Sequence, residues 1–181
     1  MKRATQFVLI ILLVIIPFSS FSQKKKPYTF EDAMKFKLIR ETTISQNGKW
    51  LAYTLVPDRG DRTLYIQSLE DTAKFVFERG SKPKLSPKTD WAAFEILPKQ
   101  IEIENAGKKD KSKNKFGIMN LSNGRTVERE TVKSFEFSND GRWLAFLYEG
   151  GEEKDKKLKD KIVGSQLNLR HLPSGTEIRI D

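Results

Sequence analysis

Ser45-Gln-Asn-Gly-Lys-Trp50-Leu-Ala-Tyr53 recurs as Ser138-Asn-Asp-Gly-Arg-Trp143-Leu-Ala-Phe146, and more loosely as Ser86-Pro-Lys-Thr-Asp-Trp91-Ala-Ala-Phe94. In each copy a tryptophan follows the serine by five residues, and an aromatic residue follows the tryptophan by three. The chain has 3 tryptophans and all of them fall at this position, so the pattern is an internal repeat. Its defining residues are Ser45, Gly48, Trp50 and Tyr53, then Ser86, Trp91 and Phe94, then Ser138, Gly141, Trp143 and Phe146.

A second landmark follows each copy. Leu64-Tyr-Ile-Gln-Ser-Leu69, Phe116-Gly-Ile-Met-Asn-Leu121 and Leu167-Asn-Leu-Arg-His-Leu172 alternate as strands do, and the last two run into Ser122-Asn-Gly124 and Pro173-Ser-Gly175. From serine to closing leucine the distances are 24, 35 and 34 residues. The later two copies therefore carry insertions, in the lysine-rich stretches 99–115 and 150–164, and a shared insertion point predicts projection from one face of the assembly. Asn47-Gly48 and Asp140-Gly141 predict two-residue hairpin turns with positive φ at both central positions. Thr89 breaks that rule, because a β-branched residue resists positive φ; the middle copy is expected to turn differently or in a longer loop.

Beyond each turn, Trp50-Leu-Ala-Tyr-Thr-Leu-Val56 and Trp143-Leu-Ala-Phe-Leu-Tyr148 are apolar on successive residues, which predicts strands buried on both faces. Sheets stacked face to face meet that condition, as neighbouring blades of a propeller do. The Trp-to-Trp spacings of 41 and 52 fit four-stranded blades, the second lengthened by its insertion. The expected fold is all-β, a partial β-propeller of about three four-stranded blades, preceded by a signal peptide and a short helix. A β-sandwich with unrelated tryptophans is the competing reading.

The signal peptide is read from Lys2 and Arg3, the apolar run 7–16, Pro17, and the small residues Ser20 and Ser22 before Gln23. The run is too short for a spanning helix, so the expectation is export to the periplasm or medium with no stable membrane insertion. The divisions are 1–22 signal peptide, 23–40 amino-terminal segment with a short helix, 41–80 a blade, 81–132 a blade with a lysine-rich insertion, and 133–181 a blade with a charged insertion. Thr29 with Asp32 forms a weak capping box for that helix.

Composition narrows the chemistry. With 38% hydrophobic and 10% aromatic residues, the 181-residue chain can build a core. It has no cysteine, which excludes disulfides, thiolate metal sites and a cysteine nucleophile. The net charge of +9 invites a nucleic-acid reading, yet the lysine runs lack interleaved aromatics for stacking bases, and export argues against it. No nucleic-acid partner, metal or cofactor is expected. Asp58, Asp61 and Asp140 lack the ligand spacing of a calcium loop and read as turn residues.

The repeat Ser-x-(Asn/Asp)-Gly-(Lys/Arg)-Trp-Leu-Ala-(Tyr/Phe) resembles that of exported serine peptidases of the prolyl oligopeptidase family and of TolB-like periplasmic propellers. Phe30-Glu-Asp-Ala-Met-Lys-Phe-Lys-Leu-Ile39, Val56-Pro-Asp-Arg-Gly-Asp61, Glu78-Arg-Gly80 and Lys133-Ser-Phe-Glu-Phe-Ser-Asn-Asp-Gly-Arg-Trp-Leu-Ala145 resemble the amino-terminal part of large bacterial members of that peptidase family. The resemblance implies a propeller covering a carboxy-terminal α/β-hydrolase domain that cleaves peptides admitted past it. It assigns no catalytic residue here. No Gly-x-Ser-x-Gly occurs; Ser81 and Ser165 follow glycines but lack the second one, and His171 sits in a strand-like run. Glu152-Glu153 lies among lysines without the apolar surroundings of the family's amino-terminus clamp.

Three blades cannot close a ring, and an open wedge leaves two apolar faces uncovered. The chain is therefore expected to be the front part of a longer protein whose partners are further blades, the hydrolase domain and peptide substrates. The alternatives are a TolB-like propeller that binds envelope proteins without catalysis, and a scaffold ring assembled from several copies.

Overall fold

The computed structural model describes residues 26–106, 113–130, 132–148 and 165–180. The expected signal peptide at 1–22, the pair Glu152-Glu153 and the whole of the second insertion, 150–164, lie outside them. The chain divides after Ala33 into two compact units.

In the leading unit, α1 begins (Phe30–Met34). Its first turn is closed reciprocally: Asp32 N–H donates to Thr29 Oγ1 at 3.2 Å, and Thr29 N–H donates to Asp32 Oδ2 at 3.3 Å. The expected capping box is present, and the helix is one turn long because the chain is extended again by Lys37.

The larger unit contains three four-stranded antiparallel sheets, each an up-and-down meander in chain order. The first holds β1 (Lys37–Ile44), β2 (Trp50–Pro57), β3 (Thr63–Ser68) and β4 (Lys74–Glu78). The second holds β5 (Gly80–Leu85), β6 (Trp91–Ile96), β7 (Lys115–Asn120) and β8 (Thr126–Arg129), with α2 (Gln100–Asn105) inside the β6–β7 connection. The third holds β9 (Val132–Phe137), β10 (Trp143–Tyr148), β11 (Leu167–His171) and β12 (Glu177–Ile180). Residues 37–40, read from sequence as part of the leading segment, are the first half of β1. In chain order both insertions fall between the second and third strands of their sheets. Among the described residues no helix is long and apolar enough to cross a membrane.

Strand alternation assigns each side chain to a seam. Trp50, Ala52, Leu64 and Ile66 of the first sheet pack with Ala92, Phe94, Met119 and Leu121 of the second. On its other face the second sheet offers Ala93, Phe116 and Ile118 to Phe135, Phe137, Leu144 and Phe146 of the third. Fully burying each of the larger of these side chains stabilises the fold by about 1.5–3 kcal/mol. Only the middle sheet has neighbours on both sides, so β6 is buried at four successive positions while β2 and β10 alternate. Two-sided burial was expected of β2 and β10 as well; they depart from it because one face of each outer sheet carries no further sheet among the described residues.

Candidate functional site

The repeat residues take equivalent places in all three sheets. Trp50 and Trp91 point toward the following sheet, while Phe94 and Phe146, each three positions after a tryptophan, point toward the preceding one. Trp50 is therefore buried in the first seam, Trp91 packs into the second, and Trp143, with no later sheet among the described residues, is half-buried against the His171 ring at 4.7 Å. Phe94 and Phe146 are buried against the sheets before them, whereas Tyr53, in the first sheet, stacks on Tyr65 at 5.3 Å and stays half-exposed.

The serines organise the hairpin turns. Ser45 Oγ accepts from Trp50 N–H at 2.9 Å and donates to Asn47 Oδ1 at 2.6 Å. Ser138 repeats this with Trp143 N–H at 3.0 Å and Asp140 Oδ1 at 2.6 Å. These side-chain bonds hold a longer loop than expected: Gly48 N–H donates to Ser45 O and Gly141 N–H to Ser138 O, both at 2.8 Å. The glycines alone take positive φ, 72° in each case, while Asn47 and Asp140 do not. The two-residue turn predicted from Asn-Gly and Asp-Gly is thus corrected to a four-residue turn, Ser45 to Gly48 and Ser138 to Gly141, whose last residue is the left-handed glycine.

Thr89 does change the middle turn. There Trp91 N–H bonds to Thr89 O at 3.0 Å, and Ser86 Oγ lies 2.6 Å from Thr89 Oγ1. The freed hydroxyls reach the next sheet: Thr89 Oγ1 donates to Gly141 O at 2.6 Å, and Ser86 Oγ to the same oxygen at 3.2 Å. On the other side, Asp90 Oδ1 accepts from Trp50 Nε1 at 2.9 Å. The turn that departs from the repeat ties the three sheets together. Sequence reading missed Asp90, although its replacement of Lys49 and Arg142 at the residue before tryptophan was the available signal.

The first strands of the sheets form a polar row. β1 and β5 each carry a bulge at the same register, with Glu41 (φ 51°) and Lys82 (φ 49°) in the left-handed region. A non-glycine residue there costs about 1–3 kcal/mol, so the surroundings must compensate. The Glu41 carboxylate does so across the seam, accepting from Lys82 N–H at 2.9 Å, Ser81 Oγ at 3.0 Å and Arg62 Nη1 at 3.2 Å. Lys82 Nζ reaches Glu95 at 2.8 Å, and Lys84 Nζ bridges Phe135 O and Glu136 of the third sheet. On the last strands, Arg129 of the second sheet donates to Glu177 of the third at 2.9 Å, and Arg170 donates to the same carboxylate. Burial pushes the Glu177 pKa up, but the bonds and charges of Arg129 and Arg170 outweigh it and hold it low.

The hydrolytic candidates do not converge. Ser81 is buried with its hydroxyl engaged by Glu41 and Arg62, and Ser165 is exposed, two residues before β11 of the third sheet. His171 Nδ1 lies 2.8 Å from Ser174 Oγ, which also bonds Thr176 within the same exposed turn. Among the described residues no carboxylate orients that ring, so the pair lacks the third member that activates a serine–histidine couple. Asp61 accepts from Gln100 N–H at 2.7 Å and Asp140 closes its own turn, so both serve local structure.

No family model and no curated protein matches the chain. Solved structures do. The β-propeller domain of the trilobed protease from Pyrococcus furiosus, described as having an open velcro topology, aligns over 81% of this chain and 44% of its own, with a TM-score of 0.52 and 17% identity. The Pyrococcus horikoshii acylaminoacyl peptidase aligns over 81% of this chain and 26% of its own, with a TM-score of 0.50 and 17% identity. The likeness establishes the fold as a partial β-propeller of three four-stranded blades. The chain spans well under two thirds of either.

Proposed function

We propose that this chain is the amino-terminal, non-catalytic propeller part of an exported serine peptidase of prolyl oligopeptidase type, and that its blades gate peptide access to a hydrolase domain elsewhere in the full protein. The observation that carries this reading is the pair of outer sheet faces that no further sheet covers among the described residues. On the first sheet, Ile39, Tyr53, Tyr65 and Val76 face away from the second, with Val76 52% and Ile39 65% exposed. On the third, Trp143, Ala145, Ile178 and Ile180 do the same. Apolar faces of this extent call for neighbours. Each repeats the pattern of a seam already formed inside the chain, so further blades are the fitting cover. The likeness to peptidase propellers, matched over only part of their length, supports the same conclusion.

Gating would be steric. The first strands of the blades present charged side chains such as Glu41, Lys82 and Glu136, and a ring lined in this way would pass an extended peptide with its polar backbone hydrated while excluding a folded protein. The test is to read the coding DNA past codon 181 and express the continuous protein. Further blades followed by a Gly-x-Ser-x-Gly segment, with cleavage of short peptides but not of folded proteins, are expected. Blades without that segment, or equal cleavage of folded proteins, would overturn the reading; the former outcome would favour a TolB-like binding module.

A further inference from the structure

We infer that Arg79 forms a carboxylate-binding site at the first seam, and this stands on the cavities around it, independently of the peptidase reading. Arg79 is the single residue joining β4 to β5, and therefore the first sheet to the second. Its backbone is clamped from both sides, the N–H donating to Arg62 O at 2.8 Å and the carbonyl accepting from Leu97 N–H at 2.9 Å. With φ of 62° it lies in the left-handed region. Arg79 lines two cavities, one of about 190 Å³ under the β2–β3 loop and one of about 220 Å³ beside the described part of the β6–β7 connection.

The charges around Arg79 set the ligand class. Nε of Arg79 is buried and makes no hydrogen bond among the described residues, as is also true of Arg170 Nε. Of the neighbouring cations, Arg59, Arg62 and Lys115 are paired, with Glu104, Glu41 and Glu128, while Lys113 at the second cavity adds a further positive charge. Arg79 makes no ion pair among the described residues. Its two terminal amino groups, which unlike Nε are not buried, form a planar fork that matches a planar oxyanion and can hold it by two parallel hydrogen bonds. The lining also includes Asp58, Asp61 and Glu104, whose field opposes a dianion such as phosphate more than a singly charged carboxylate. Leu97 and Pro98, shared by both cavities, supply apolar wall for the carbon skeleton behind the carboxylate. The ligand class is therefore a small carboxylate, from a peptide's carboxy terminus or from an acidic side chain.

The experiment is an NMR titration of the full-length chain, following the Arg79 Nε–H resonance. N-acetylalanine represents a terminal carboxylate, the blocked amide of N-acetylaspartate a side-chain carboxylate, and N-acetylalaninamide the uncharged control. Saturable shifts with one or both carboxylates are expected, and the tighter of the two names the source. Binding of the control should be weaker by at least about tenfold, since it lacks the charge the guanidinium reads. Arg79→Gly suits the left-handed backbone, so it should fold and abolish the response, while Arg79→Lys, which keeps charge but loses the planar fork, should weaken it. An equal response to the control, tighter binding of inorganic phosphate, a response that survives Arg79→Gly, or no saturable shift with either carboxylate would overturn the inference.

Discussion

Gly48 and Gly141 occupy the same place in nearly the same turn, with the same φ of 72°, yet their surroundings differ completely. A Cβ built on Gly48 would meet nothing within 4 Å; one on Gly141 would lie 2.3 Å from Ser86 Oγ and 3.2 Å from the Lys88 backbone nitrogen. The first glycine answers a local backbone requirement. The second answers that requirement and also the close approach of the preceding sheet, whose Ser86 and Thr89 hydroxyls bond its carbonyl. The same position of the repeat thus carries one constraint in the first sheet and two inside a seam.

The largest expected effect tests that difference directly. Gly141→Ala should cost the left-handed backbone penalty of about 1–2 kcal/mol plus an overpacking penalty of about 1–3 kcal/mol, while Gly48→Ala should cost the first alone. Urea unfolding of the two variants measures the gap. Equal losses would mean that the seam opens at no cost and that the turn, not the neighbour, sets the requirement. The tryptophans give a smaller contrast of the same kind. Trp50→Phe removes the indole N–H from Asp90 and should cost about 1.5–3 kcal/mol through the loss of a hydrogen bond to a charged group. Trp143→Phe removes no cross-sheet bond among the described residues and should cost distinctly less. A reversed order in thermal melts would break the equivalence of the seams.

These pairs also mark how far the sequence could be read. Repeat period and strand order were legible because Trp50, Trp91 and Trp143 meet one packing demand, and the insertions were placed at one connection because the landmarks flank it. The turn type was not legible: Asn-Gly and Asp-Gly signal a two-residue hairpin, and what shifts them to a longer loop is the serine hydroxyl bonding across the turn, a competition that residue preference leaves open. Helix α2 was hidden in a stretch that reads as a solvated lysine loop; part of what stabilises its start is Asp61, 39 positions earlier in the chain. Thr89 was visible as an exception, but its purpose appeared only with the third sheet beside it. The left-handed backbones of Glu41, Arg79 and Lys82 left no trace in sequence, because bulges and inter-sheet bonds impose them and the residue types do not prefer them.

The smallest expected effect sharpens the comparison at the residue before each glycine. Asn47 and Asp140 accept the same two bonds, from the serine hydroxyl and from the backbone N–H two residues on, the latter at 3.1 Å in both turns. Only Asp140 can titrate. The Ser138 hydroxyl, then the Arg142 backbone N–H and guanidinium, hold its carboxyl well below the usual carboxylate range. A depressed folded pKa means that the stabilisation is complete above the carboxyl's unfolded pKa and is lost as pH falls through that value toward the folded one. The third turn should therefore loosen in acid while the first does not, read as faster exchange of the Trp143 amide than of the Trp50 amide when the pH is lowered, after correction for intrinsic rates. Asp140→Asn should make the two turns respond alike. If the Trp143 amide keeps its acid sensitivity in that variant, the proton is being taken up elsewhere, and the Glu177 pair at the opposite edge of the third sheet becomes the group to titrate next.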